Sequence, residues 1–523
     1  MLANRDLEVQ ASQRLNNQAG TLNGKGHTQI DAGQLDNRSG RILAGSTLNL
    51  TADSIDNRQA GLIHSQGAAD VQVAGALHNQ QGQLVSEATL GVQTQQLNNQ
   101  GGRLIAGDAL QLHAQAIDNS AAGVISAQTG VQIKAHSLSN AQGGEVSAGT
   151  NLGLDVKQLD NSDNGSIGSG GALALQADAI DNRDQGTISS EQALTLNATS
   201  LDSSAGGRVE SRGDLQATLG ALKQQGGVLL SEKQLTVNVG AIDNSQSGLI
   251  HGRQGVKLQA GQVDNSDKGR INSQGALTAN LRGLDQQNGG QFVSSGALTL
   301  DLAGGRLNNS RQGLLATPGS LLLKNVAVID NSLGGEISSD RAFTLVTGEL
   351  NNSAGKILSG AALELRITKA LLNNLGGLLS AAQQLNLSAG SLNNSSKGQI
   401  SSLGDMQLSL AGALNNSQQG LIGSQAKLRI DAAHIDNHDQ GELSSAGALQ
   451  LKGSSLNNQD GLVVSDASLD LETSGLLDNS QQGVLAAGAA FSLKAGQLLN
   501  RNKGLIQGDA GMQATIQGDF DNS

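Results

Sequence analysis

The sequence predicts an all-β fold, a right-handed parallel β-helix (solenoid) of about 25 coils, roughly 21 residues per coil, with three short strands in each. Three observations predict it. An Asn closes a short apolar–polar–Asn phrase once in every coil, as in Leu35-Asp36-Asn37, Ile55-Asp56-Asn57, Leu97-Asn98-Asn99, Ile180-Asp181-Asn182, Ile435-Asp436-Asn437 and Leu477-Asp478-Asn479. A Gly stands three or four residues later in all 24 coils that the chain completes, with an apolar residue two places beyond it. Between these landmarks apolar residues alternate with a period of two, the strand signal, and helical spacing is never sustained.

The phrase recurs at 25 positions from Asn17 to Asn522, and only Ser203, Gln224 and Gln286 are not Asn. The coil then reads in order. Its first corner is Asn followed by Gly, as at Gly40, Gly61, Gly123, Gly165, Gly313 and Gly483. Glycine is expected there for a positive φ, which Asn also tolerates better than most residues. The first strand carries the apolar residue Ile42, Ile63, Ile125, Ile167, Leu315 or Leu485, and a small residue follows one or two places on, as at Ser65, Ser126, Ser189, Ser338 and Ser465. A second alternating stretch supplies Leu48/Leu50, Leu110/Leu112, Leu173/Leu175, Leu298/Leu300 and Leu449/Leu451. The closing phrase forms the third strand.

The corner Gly and the next Asn keep one spacing in most coils, as from Gly40 to Asn57, Gly82 to Asn99, Gly123 to Asn140 and Gly165 to Asn182, so most length variation sits in the corner. Stacked strands require this, because a one-residue slip turns every side chain to the other face. The exceptions are Gly290 to Asn309 and Gly355 to Asn374, each two residues longer, and a phase shift near Pro318, all expected as bulges. One coil has too little apolar surface to fold alone. Stacked coils pair their backbones up and down the array and bury continuous apolar columns. At about 4.8 Å per strand, 25 coils predict a rod on the order of 120 Å, and parallel connections favour a right-handed path.

Alternation places the Leu and Asn of the phrase on one side and the Asp on the other. If Leu faces inward, so does Asn, and stacked amides donate and accept between coils. The expected structural ladder comprises Asn37, Asn57, Asn79, Asn99, Asn119, Asn140, Asn161, Asn182, Asn244, Asn265, Asn437, Asn458 and Asn479. Ser203 and Gln224 interrupt it in adjacent coils, which predicts a weak point. The middle residue of the phrase is expected to line a solvated acidic edge. Calcium needs six to eight oxygens, and no glycine-rich calcium nonapeptide is present.

Composition agrees with a narrow interior. Aromatics are 1 %, with no Trp, no Tyr and four Phe; Gly reaches 71, and Pro318 is the only proline. Proline lacks the N–H that a stacked strand must donate. The net charge of −12 and the singly spread basic residues argue against a nucleic-acid partner. No apolar run is long enough to span a bilayer. The opening residues carry no apolar signal region, and the repeat runs to both ends. One continuous array over residues 1–523 is therefore expected, within a longer protein.

The search for chemistry finds little. His434 and His438 are four apart but in a strand and turn, so no zinc pair follows. There is no Cys, no Walker loop and no nucleophile elbow. No catalytic residue, cofactor, metal or small-molecule substrate is expected. The alternative is a β-helical carbohydrate-active enzyme, which needs clustered carboxylates and exposed aromatics; Phe292, Phe343, Phe491 and Phe520 are few and dispersed.

The iterated phrase L-D-N-x-x-G-x-I-x-S-x-x-x-L-x-L resembles the haemagglutinin repeat of filamentous haemagglutinins, which also builds the stalks of contact-dependent growth inhibition effectors. The resemblance covers the whole chain, is specific in aggregate and is weak in any one unit. It implies a secreted stalk on a Gram-negative surface, associated with the outer membrane. It also implies two partners: an outer-membrane β-barrel transporter of two-partner secretion, and a receptor on a host or neighbouring cell. The family's amino-terminal secretion domain and carboxy-terminal toxin have no counterpart among these residues.

Overall fold

The computed structural model describes every residue from Met1 to Ser523. The protein is all-β, without a helix: a parallel β-solenoid of about 25 turns of about 21 residues. It divides into two compact units, Met1–Ala260 and Gly261–Ser523, which follow the same coil plan.

In the first unit, a four-residue strand opens each regular coil. Arg41–Ala44 pairs in parallel with Leu62–Ser65, so that Ile42 stacks on Ile63 and Ala44 on Ser65. A longer strand follows: Leu152–Asp160 lies on Leu173–Asp181 with Leu152 on Leu173, Leu154 on Leu175 and Leu159 on Ile180. The second unit repeats this plan, with Glu336–Ser339 on Lys356–Ser359 and Leu385–Ala389 on Met406–Leu410. In-register stacking buries the apolar columns in the interior coils. Ile42, Ile63, Ile125 and Ile167 in the first unit and Ile337, Ile357 and Ile400 in the second have no solvent exposure. Each such side chain contributes about 1.5–3 kcal/mol, but only once a neighbouring coil covers it.

Three local expectations change. The second and third strands are often one: Leu48–Asp56 and Leu194–Asp202 are continuous, whereas Leu449–Gly453 and Ser455–Asn457 are separate. The bend between the two sides is absorbed within hydrogen-bonded backbone, as where Ala135 pairs with Val156 and Ser137 with Gln158. The small residues form two columns rather than one. Ser65 and Ser465 belong to an inward, buried column, while Ser126, Ser189 and Ser338 face outward one residue earlier in the strand.

The corner glycine is required for a different reason from the one expected. Gly40, Gly61 and Gly165 do not have positive φ, and neither do the ladder asparagines. The left-handed residues lie between them: Ser39 alone in the three-residue step, and Ala121 with Ala122 in the four-residue step. The choice between steps is thus one or two left-handed residues. The glycine is needed for close approach, because a Cβ on Gly40 would lie 2.2 Å from the Asn17 carbonyl oxygen of the preceding coil.

Candidate functional site

The polar chemistry of the interior is concentrated at this corner. All thirteen asparagines of the expected ladder have no solvent exposure. Each sits two residues beyond the last core Leu, Ile or Val of its coil, so strand alternation turns it inward. In the first unit Asn37 Nδ2 donates to Asn57 Oδ1 at 2.7 Å, Asn57 to Asn79 at 2.7 Å, Asn79 to Asn99 at 2.7 Å and Asn99 to Asn119 at 2.7 Å. The relay continues through Asn140, Asn161 and Asn182 at 2.8 Å per step. In the second unit Asn437 donates to Asn458, and Asn458 to Asn479, both at 2.8 Å. Asn161 Nδ2 also meets the carbonyls of Gly165 at 3.2 Å and Thr187 at 3.0 Å, so one amide joins its own corner to the first strand of the next coil. Asn244 Nδ2 donates to the Gly248 carbonyl at 3.1 Å, and Asn265 Nδ2 to that of Gln291 at 2.9 Å.

The interruptions differ from one another. Ser203 Oγ accepts from Asn182 Nδ2 at 3.1 Å. Gln224, fully buried, has no hydrogen-bond partner at either side-chain amide atom. Gln286 Nε2 donates to Asn309 Oδ1 and to the Leu314 carbonyl, while its Oε1 accepts nothing.

The middle residue of the phrase does more than line a solvated edge. Asp118, Asp160 and Asp202 each accept from the backbone N–H two residues on, at 3.1–3.2 Å, and from the same residue's hydroxyl at 2.6–2.7 Å. Asn351 and Asn415 do the same. The position needs a short side chain with an acceptor oxygen, which explains the interchange of Asp and Asn. Near the beginning, Asp36 is buried between Arg14 and Arg38, each 2.7 Å away. Arg38 holds the Asp36 carboxyl well below the usual carboxylate range; burial opposes this and Arg14 adds to it. Arg183 likewise lowers Asp181.

A shallow groove of about 750 Å³ runs along the third side between His78 and Asp202, floored by Ala116, Ser137, Gln158 and Ala179. Its carboxylates already cap turns or pair with Arg183, so it holds no free acid–base pair. His438 contacts Asp436 and Asp439, whereas His434 Nδ1 meets Ser455 Oγ at 2.9 Å. No group of three or more His, Asp or Glu converges as a metal site. Phe292, Phe343 and Phe491 are buried in the core columns, where they cannot stack on a sugar; Phe520 is exposed in the last coil.

Comparison with protein families matches the haemagglutinin-repeat model ten times in overlapping segments: residues 2–73, 64–129, 110–184, 151–231, 220–280, 268–333, 293–374, 363–418, 407–473 and 464–523. The chain belongs to the haemagglutinin-repeat family. That family is one of secreted, cell-surface proteins in which the repeats serve as structural stalk. Searches of curated proteins and of solved structures returned no match.

The structure also corrects one phase of the expected repeat. The buried residue is Asn373, bonded to Asn394 at 2.7 Å, and not Asn374, so the span from Gly355 exceeds the usual one by a single residue. The doubled Leu371-Leu372 obscured it, since Leu372 stands exposed where Asp or Asn usually caps the turn. Counting back four residues from Gly377 finds the right Asn. The inward serine column was also missed as a polar feature. Ser86 Oγ donates to the carbonyl of Gly67 at 2.8 Å, and Ser294 Oγ to that of Gly275 at 2.7 Å. These hydroxyls tie the second corner of one coil to that of the coil before.

Proposed function

We propose that this haemagglutinin-repeat chain is the stalk of a secreted, cell-surface filamentous adhesin or contact-dependent inhibition effector, built as one continuous array over residues 1–523. Its task is mechanical: it presents a distal adhesive or toxin module at a distance from the producing cell. The asparagine relay carries this reading. Its polar groups are spent on joining each coil to the next, and none converges on a reacting centre. Export through an outer-membrane two-partner secretion barrel suits a chain without Cys, since no disulfide obstructs unfolded passage. The receptor on a host or neighbouring cell then belongs to the presented module. Weak contacts repeated along the polar flank add avidity.

The test is a reach assay. A binding module is coupled to a bead through this chain or through a flexible linker of equal residue number, and the bead is coated with a polymer brush that masks a directly attached module. The proposal predicts ligand capture through the brush by the chain-borne module and little by the linker-borne one. Equal capture by the two, or none by either, would contradict it.

A further inference from the structure

The repeats provide an internal alignment, and two coils share a departure that extends beyond the ladder. The second inward position of the middle strand holds Leu, Ile or Val in every coil except those with Ala217, Ala279 and, in the last coil, Ala514. The next inward position is usually small, as at Ala177 and Ala198, and is large at Leu302, Ile367, Leu410 and Ile516 in coils that close on Asn; in the coils of Ala217 and Ala279 it is Leu219 and Leu281. Those coils close on Gln224 and Gln286, the only two Gln residues in the ladder. The pattern Leu-x-Leu-x-Ala…Asn has become Leu-x-Ala-x-Leu…Gln, once in each unit.

The exchange has a packing logic. Ala217 and Ala279 are buried, as are Leu219 and Leu281. Swapping a large and a small residue within one strand conserves volume, and close-packed interiors tolerate volume-conserving changes best. Gln exceeds Asn by one methylene, so the longer side chain accompanies the redistributed interior. The result is the same at both sites: neither Gln224 Oε1 nor Gln286 Oε1 accepts a hydrogen bond. A buried amide oxygen left without a donor destabilises the coil that carries it.

We infer that the Gln coils are built-in seams, where the stacked array opens first and where one cooperative run of the ladder is separated from the next. In the first unit the seam follows the unbroken relay from Asn17 to Ser203. In the second it precedes the relay that runs from Gln286 through Asn309 to Asn522. Opening under load or during folding is thereby directed to chosen coils instead of being spread over equivalent ones.

Hydrogen exchange followed by mass spectrometry on the full chain tests this inference. Segments 215–231 and 277–294 are expected to exchange at least tenfold faster than the matched segments 131–148 and 406–424. The triple variant Ala217→Leu/Leu219→Ala/Gln224→Asn should slow exchange at 215–231 at least tenfold, and Gln224→Asn alone by less. The reverse graft, Ile133→Ala/Ala135→Leu/Asn140→Gln, should open a new fast segment at 131–148, and it guards against a repair variant that fails to fold. Equal protection of Gln and Asn coils in the natural chain, or no change on grafting, would overturn the inference.

Discussion

A Cβ on Gly165 would lie 2.5 Å from the Asn140 carbonyl oxygen and 2.7 Å from Asn161 Oδ1, whereas one on Gly143 meets nothing within 4 Å. Gly143 has φ +72°, yet the equivalent residue one coil earlier is Ala122 at φ 61°. These glycines of two successive corners therefore differ in how much a substitution costs. Gly165→Ala should destabilise by about 1–3 kcal/mol or more through overpacking against backbone. Gly143→Ala adds its Cβ to open space and should cost less, about 1 kcal/mol for the left-handed conformation alone. Urea denaturation of the two variants checks the contrast. Asp36 supplies a pH test. Its carboxyl titrates below its unfolded value near pH 4, so the stabilisation from Arg38 is complete above that pH and is lost as pH falls toward the folded value. Arg38→Ala should lower stability at pH 7, with the difference from the natural chain shrinking as pH falls below 4 in urea melts.

The coil is the element on which length and register depend. Glu145 pairs with Ser166, so deleting residues 145–165 removes one whole coil and joins Gly144 to Ser166 in phase. Deleting residues 153–172 joins Leu152 to Leu173 inside a strand, leaves one residue too many and sets these two core side chains on opposite faces. The first deletion should keep the strand signal and cooperative unfolding, and the second should lose both, as followed by circular dichroism. The coil plan was legible in the sequence because Ile42, Leu48, Leu50 and Asn37 recur at positions set by strand alternation, a property of the backbone itself. The role of Gly40 was not legible, since close approach to Asn17 exists only once two coils stack. Nor was the capping role of Asp118, which depends on the turn that follows it. The doubled Leu371-Leu372 misled by one residue because both satisfy the apolar pattern, and only burial separates them.

In each of the two units the repeated coil supplies stacked, parallel-paired strands. Membership of the haemagglutinin-repeat family covers the chain from residue 2 to residue 523, so the same stacking rule is expected to hold in each unit. That rule is the central claim: each coil adds one fixed increment along the array, about 4.8 Å. The absence of native Cys makes site-directed spin labelling direct. Gln83, Thr187, Arg208 and Leu249 occupy one outward column of the first unit, and the last three stand five, six and eight coils from Gln83. Double electron–electron resonance on the pairs Gln83/Thr187, Gln83/Arg208 and Gln83/Leu249 should give narrow distributions. Their backbone separations should be about 24, 29 and 38 Å, rising linearly with coil number. Broad distributions, or distances that do not increase in equal steps per coil, would contradict the stacked-coil account and the stalk function built on it.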